Sequence, residues 1–231
     1  MDLRVGTSGY QYKFWRGTFY SEKCKEADML TEYGRQLRTV EINYTFYRMP
    51  KPEFMERWAS QVPDDFRFSI KASRRITHDK RLKEVGDLTG YLFDTCRKLG
   101  DKLGVVLFQL PPNLKLDLDR LGKFLELVPA DIRVALEVRH ASWLDEAVYA
   151  QLRERNVALV CNDQGEGEEA IPLVQTAPFA YLRLRREEYT DDELKETLAS
   201  VRAHPFQDVF AFFKHEEGAA TRAQRLVGLT Q

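Results

Sequence analysis

Charged side chains placed between apolar ones set the chemical question in this chain. In Val134-Ala135-Leu136-Glu137-Val138-Arg139, apolar residues take every second position, and Glu137 and Arg139 fall on the opposite face of a strand. A carboxylate and a guanidinium aimed into one space need partners or a ligand there, because unpaired buried charge is costly. The strand then runs into a polar cluster of His140, Ser142 and Trp143. Glu137 is the leading acid/base candidate, with His140 and Glu41 beside it as further catalytic candidates. Burial would raise the Glu137 carboxyl toward a useful pKa, and a neighbouring arginine would lower it. Glu41 and Asn43 occupy the same alternation in Thr39-Val40-Glu41-Ile42-Asn43, as does Lys71 in Phe66-Arg67-Phe68-Ser69-Ile70-Lys71.

Such residues act together only if a scaffold brings their strand ends to one place. Period-2 and compact apolar runs predict strands over 3–8, 38–43, 66–71, 105–110, 133–138, 157–162, 179–184 and 209–213. Between them, helical spacing predicts helices over about 26–37, from Pro52, over about 88–99 and 118–128, and around Val148, Tyr149 and Leu152. A capping box, Thr190-x-x-Glu193, opens the next helix, and a last one follows Gly218. Asn156 suits a left-handed helix stop. Eight strands, each followed by a helix and with no linker between, predict one (β/α)₈ TIM-barrel domain over residues 1–231. The competing open doubly wound sheet lacks support, since no G-x-G-x-x-G or Walker loop joins a strand to its helix. The same lack leaves no cofactor assigned. Parallel strands buried on both faces normally read as continuous apolar runs. Here the second, third, fifth and seventh alternate with polar residues, which predicts a polar barrel interior.

The active site of such a barrel lies at the carboxyl ends of its strands. Those ends are Ser8, Glu41, Asn43, Lys71, Gln109, Glu137, Arg139, His140, Asn162, Asp163, Arg183, Arg185, Lys214 and His215. One reading is a buried ion-pair plug in which Glu41 and Glu137 neutralise their cationic neighbours. Against it, Lys71, Arg139, Arg183 and Arg185 face only Glu41 and Glu137, and several kcal/mol of desolvation per unpaired ion disfavours that imbalance in a dry interior. Water or an anion must fill the space. Guanidinium groups suit phosphate or carboxylate, and barrel phosphate sites commonly follow the seventh and eighth strands, where Arg183, Arg185 and Lys214 fall. The expected ligand-binding set is Lys71, Arg139, Arg183, Arg185, Lys214, Asn43 and Gln109, with Trp143, Tyr10 and His78 at the rim. His78 and His140 read equally as general acids or as cap and surface histidines. Tyr10, Tyr12, Trp15, Phe46, Tyr47 and Trp143 read as loop packing or as a stacking rim for a base or sugar. A metal site from Glu41, Glu137, Asp163, His140 and His215 is chemically conceivable, but no spacing supports it. The run Glu166-Gly167-Glu168-Glu169 reads as a solvated loop.

Composition narrows the class. Lys and Arg total 35 against 36 Asp and Glu, so wholesale nucleic-acid coating is excluded while a local basic patch is not. Three cysteines without C-x-x-C spacing imply neither a disulfide framework nor a zinc site. No secretory pattern opens the chain, and no apolar run reaches the roughly 18 residues that span a bilayer. A cytoplasmic protein without membrane partners is expected, and the sequence assigns no oligomeric state.

Several of these residues also carry a resemblance. Gly6-Thr7-Ser8-Gly9-Tyr10, Trp15-Arg16-Gly17-Thr18-Phe19-Tyr20, Thr39-Val40-Glu41-Ile42-Asn43 with Thr45-Phe46-Tyr47-Arg48, Lys71 with Thr77-His78, Phe108-Gln109-Leu110-Pro111-Pro112, and Glu137-Val138-Arg139-His140 with Ser142-Trp143 resemble the YecE-like family, a domain of unknown function (DUF72). The resemblance implies a TIM barrel with shared polar residues at its top, and it implies no activity. Metal-dependent endonucleases and sugar isomerases are similar in outline, an analogy of fold alone. After the seventh strand the family's Arg-x-His-Gly element reads Arg183-Leu184-Arg185-Arg186 here. After the eighth, Phe213-Lys214-His215 replaces Phe-Asn-Asn. Both changes make this pocket more cationic. The expectation is an enzyme acting on a phosphate-bearing anion such as a nucleotide, nucleic-acid end or sugar phosphate. The alternatives are a non-catalytic nucleic-acid or metabolite-binding module and a metal-dependent hydrolase or isomerase.

Overall fold

In the computed structural model, which describes residues 1–163, 170–214 and 216–230, eight parallel strands close into a barrel. They are β1 (Asp2–Ser8), β2 (Thr39–Ile42), β3 (Arg67–Lys71), β4 (Leu103–Gln109), β5 (Val134–Glu137), β6 (Ala158–Asn162), β7 (Phe179–Leu184) and β8 (Asp208–Phe213). Each pairs with the next, and β8 returns to β1. Around them lie α1 (Met29–Gly34), the single turn α2 (Tyr44–Tyr47), α3 (Pro52–Ser60), α4 (Gly86–Arg97), α5 (Leu118–Leu125), α6 (Glu146–Glu154), α7 (Asp191–Arg202) and α8 (Ala219–Gly228). This is a single (β/α)₈ TIM barrel.

Alternation sorts the side chains as the period requires. Val134, Leu136 and Val138 of the β5 region, with Phe66, Phe68 and Ile70 of the β3 region, pack outward in the core shared with the helices. Ala135, Val105, Leu107, Val160, Tyr181, Phe210 and Phe212 fill the barrel axis. The expected polar interior is therefore corrected by depth. Its lower layers are mainly apolar and aromatic, the Glu41–Glu137–Arg183 cluster sits at the carboxyl ends, and Arg4 is buried toward the amino end, donating to the Asp65 carbonyl at 2.6 Å. Two glycines make room at these approaches. A Cβ on Gly6 would meet the Thr39 carbonyl oxygen at 2.0 Å, and one on Gly104 would meet the Phe210 ring at 3.0 Å.

Strict alternation also fails once. Among the described residues no helix joins β6 to β7. Instead Ile171 bridges Asn162 in antiparallel sense. Thr176 Oγ1 accepts from Leu159 N at 2.7 Å and donates to the Val157 carbonyl at 2.8 Å, capping β6 where its pairing with β5 is short. The predicted helix over 26–37 shortens to a 3₁₀ turn (Glu26–Asp28) and α1. The capping box forms as read, with Thr190 and Glu193 bonded reciprocally at the start of α7. Asn156 adopts φ 52° after α6. Cys24 and Cys96 are buried, Cys161 is half-buried, and all three are free thiols. Among the described residues no helix is long and apolar enough to cross a membrane.

Candidate functional site

Two buried carboxylates share one guanidinium at the carboxyl end of the barrel. Arg183 of β7 donates from Nη1 to Glu137 Oε2 at 2.6 Å and from Nη2 to Glu41 Oε1 at 2.9 Å. All three side chains are sealed from solvent, Arg183 at 1% exposure. Strand register supplies further donors, because it sets Ser8 beside Glu41 and Gln109 beside Glu137. Ser8 Oγ donates to Glu41 Oε1 at 2.7 Å, and Gln109 Nε2 to Glu137 Oε2 at 2.8 Å. From two positions before Arg183, on the same face, the Tyr181 hydroxyl donates to Glu41 Oε2 at 2.7 Å and lies 2.7 Å from Ser69 Oγ. Among the described residues Glu137 Oε1 accepts no hydrogen bond, and Arg185 Nη1 stands 3.8 Å from it.

Charge follows from this geometry. Burial works to raise both carboxyls, but Arg183 and then Lys71 outweigh it, so Glu41 and Glu137 sit below the ordinary carboxylate range. Burial works to lower Arg183, and Glu137 and Glu41 raise it above the ordinary arginine value. Burial and Glu41 push the Tyr181 hydroxyl well above the ordinary phenol. Glu41 and Glu137 are therefore fixed anions at neutral pH. A carboxylate in that state accepts protons or orders charge; it has no proton to donate.

Lys71 closes β3 and points into the same space. It is 8% exposed, and its amine lies 4.4 Å from the centroid of the Phe46 ring. Among the described residues Lys71 Nζ has no hydrogen-bond or ion-pair partner. Its backbone is fixed, since Thr45 Oγ1 donates to the Lys71 carbonyl at 2.6 Å. Burial and then Arg183 lower the amine to about 8, against the pull of Glu41 and Glu137. His78 sits in the π-helical turn Arg75–Asp79, edge-on to Phe46 with ring centroids 4.9 Å apart and Nδ1 2.9 Å from Thr77 Oγ1. Burial, then Lys71, Arg74 and Arg139, push it below the ordinary imidazole value, so His78 is neutral at pH 7.

Arg139, Arg185 and Lys214 lie near Glu137 and Arg183, and their charges act on one another. Lys214 follows β8, tied by its N–H to the Leu184 carbonyl at 2.9 Å. Its amine is lowered by burial, Arg185 and Arg183. Asp163 holds the Arg185-Arg186 turn. Its Oδ1 accepts from Arg185 N at 2.5 Å, and its Oδ2 accepts from the Tyr189 hydroxyl and faces Arg186 Nε at 3.5 Å. Asn43 occupies the N-cap position of α2 without a side-chain cap bond, its Oδ1 buried and unbonded among the described residues.

The structure thus gathers Glu41, Glu137, Lys71, Arg139, Arg183, Arg185, Lys214 and Gln109, with Asn43 and His78 at the margin. Three expected residues go elsewhere. Trp143 is fully buried, its indole N–H donating to the Leu114 carbonyl at 2.7 Å, so it is a core residue and forms no part of the rim. Tyr10 packs inward beside Tyr33, with ring centroids 6.3 Å apart. His140 turns to its own chain. Its Nδ1 accepts from Ser142 N at 3.1 Å, which caps the turn Ala141–Trp143 and leaves the ring without a bond to Glu137. Arg183 is present but already committed to two carboxylates. His215 and the run 166–169 lie outside the described residues. Among those described, no three His, Cys, Asp or Glu side chains converge as metal ligands. Ser69 and Tyr181 were missed, although the alternation that selects Arg183 places Tyr181 on the same face. A separate cleft of about 920 Å³ opens at the opposite end of the barrel, where Arg97 pairs with Asp131 and Arg133 with Asp208.

A closed parallel barrel with ionised side chains at its carboxyl ends defines a TIM-barrel protein whose candidate site lies where that fold places its chemistry. The chain belongs to the family described as Protein of unknown function DUF72, which it matches over residues 4–231. It is 33% identical over 129 residues to the UPF0759 protein YecE of Escherichia coli, covering 55% of this chain and 47% of the relative. Identity to the UPF0759 protein YunF of Bacillus subtilis is 27% over 173 residues, covering 69% and 61%. The matched region spans about half the length of the first of these relatives. In structure the chain is similar to a DUF72 family protein from Thermotoga maritima, with TM-score 0.87 and 26% identity, covering 100% and 99% of the two chains. A DUF72 family protein from Enterococcus faecalis has the same fold at TM-score 0.83 and 19% identity, covering 98% and 94%.

Proposed function

We propose that the mouth of the barrel binds a phosphate- or carboxylate-bearing small molecule, and that the protein is an enzyme acting on it. The observation that carries this reading is that the amines of Lys71 and Lys214, at the carboxyl ends of β3 and β8, have no hydrogen-bond or ion-pair partner among the described residues. In the inner layer Glu41 and Glu137 are bound by Arg183. Arg139 and Arg185, each engaged by other groups of the chain, add their charge beside Glu137. An anion seated there gains charge-assisted hydrogen bonds from groups that are already positioned. Arg183 serves as the brace of the site, and the anion falls to Lys71, Arg139, Arg185 and Lys214. Glu137, ionised and with Oε1 unbonded, suits a proton acceptor; the structure does not suit it to be a general acid.

Titration calorimetry with inorganic phosphate, a nucleoside monophosphate and a sugar phosphate tests the reading. Binding is expected, weakened roughly tenfold or more by Arg139→Ala or Lys214→Ala, as the loss of one charge-assisted contact implies. No binding of any of the three would sink it. The seal around Glu137 favours a second reading, a non-catalytic binding module in which Glu41 and Glu137 only fix Arg183. Screened on whichever ligand binds, turnover lost in Glu137→Gln with binding retained supports the enzyme. Binding without turnover supports the module.

A further inference from the structure

We infer that the Lys71 side chain is a carbonyl-reactive amine, poised to form an iminium with an anionic aldehyde or ketone held in the mouth of the barrel. The anionic half of that statement rests on the pocket reading above; the nucleophile rests on its own geometry. A lysine this deeply buried is ordinarily held by a carboxylate. Lys71 is not, although Glu41 and Glu137 lie in the same layer: Arg183, Ser8 and Tyr181 take both oxygens of Glu41, Arg183 and Gln109 take Oε2 of Glu137, and the amine forms no ion pair with the open Glu137 Oε1 among the described residues. What touches the amine is the face of Phe46 at 4.4 Å. The nitrogen is thus left without a hydrogen-bond acceptor among the described residues, at the end of a barrel strand and beside a cationic mouth.

The charged groups around it fit the chemistry. Arg183 from β7 and Lys214 after β8 disfavour the ammonium, Glu41 from β2 and Glu137 from β5 favour it, and neutral His78 flanks it from the turn after β3. Burial and Arg183 prevail and bring the amine to about 8, so a useful fraction is unprotonated near neutral pH. In the step itself the nitrogen lone pair forms a bond to the carbonyl carbon. The C=O π pair moves to oxygen, which takes the proton the nitrogen sheds. A second proton from solvent lets that hydroxyl leave as water, and the nitrogen lone pair closes the C=N⁺ bond. The iminium carries the same single positive charge as the ammonium, at the same nitrogen. Glu41 and Glu137 therefore stabilise it without moving.

The test uses pyridoxal 5′-phosphate, an aldehyde bearing a phosphate, at equimolar ratio with the full chain, followed by borohydride reduction and peptide mass spectrometry. The expected result is an adduct on Lys71 ahead of exposed lysines such as Lys115 and Lys195. Its rate should rise with pH through about 8, inorganic phosphate should protect, and pyridoxal without the phosphate should react about tenfold more slowly or worse. Lys71→Arg should lose the preferred adduct while exposed lysines such as Lys115 and Lys195 keep their slower labelling. Label spread over exposed lysines with Lys71 unmodified overturns the inference; if calorimetry on the same sample still shows phosphate binding, the anion pocket stands without it. Equal labelling of Lys71 by both aldehydes, unprotected by phosphate, upholds the nucleophile and overturns the anion reading.

Discussion

Arg183 and Lys71 are both buried cations at one end of the barrel, yet they stand in opposite energetic positions. Arg183 satisfies two carboxylates that have no other cation within 3 Å among the described residues, so removing it strands two buried anions. Arg183→Met is expected to destabilise by about 3–5 kcal/mol, the cost of breaking a buried ionic network on one side, read as the shift in urea midpoint at constant m. Lys71→Met removes a charge that burial already disfavours and should not destabilise the chain at pH 7. Equal losses in the two variants would contradict this division. Lys71 also gives a pH signature. Its pKa falls from 10.5 unfolded to about 8 folded, so between those values the unfolded chain binds more protons and stability rises with pH. The penalty for its charge is fully present below about 8. That rise should be missing in Lys71→Met. The carboxylates give the opposite limb. Because Glu41 and Glu137 are held below 4.5, their contribution is present above that value and lost as pH falls through their folded values.

At the level of elements, the site depends on how closely neighbouring strands approach. Ser8 reaches Glu41 because β1 and β2 pair in register, and that pairing passes over Gly6, where no side chain fits. The Tyr33 hydroxyl reinforces it, accepting from Thr7 N and donating to the Thr39 carbonyl, both at 2.9 Å. Gly6→Ala should cost about 3 kcal/mol or more, since the obstructing atom is backbone and cannot rotate away. A thermal midpoint within a degree or two of the parent would contradict the closeness of this approach. The α7 cap is expected to behave more mildly. Thr190→Ala should cost about 1 kcal/mol in chemical denaturation, without altering phosphate binding, because the cap lies at the helix start and the site at the strand ends.

For the molecule as a whole, an apolar and aromatic axis carries a thin ionised layer at the carboxyl ends of the strands, in a chain of net charge −1. A ligand that binds only the folded chain stabilises it by mass action, about 2.7 kcal/mol at a hundredfold excess over Kd. Inorganic phosphate should therefore raise the thermal midpoint, and added sodium chloride should diminish that rise by screening the rim. Chloride-independent stabilisation would point to contacts other than charge.

Residue order alone determined the barrel and the inward set, because strand period and strand count are local properties: the alternation in Phe66–Lys71 or Val134–Arg139 fixes which face each side chain takes. Only the tertiary structure decided who pairs with whom. Arg183 lies 142 residues from Glu41 and 46 from Glu137, and the closure of β8 on β1, with the register of the strands between, is what sets its fork between them. The same closure committed Arg183 to two carboxylates and left the Lys71 amine without an ion-pair partner among the described residues, and local packing turned Trp143 and Tyr10 inward. A sequence period specifies direction, whereas a pairing requires the distances that the closed ring imposes.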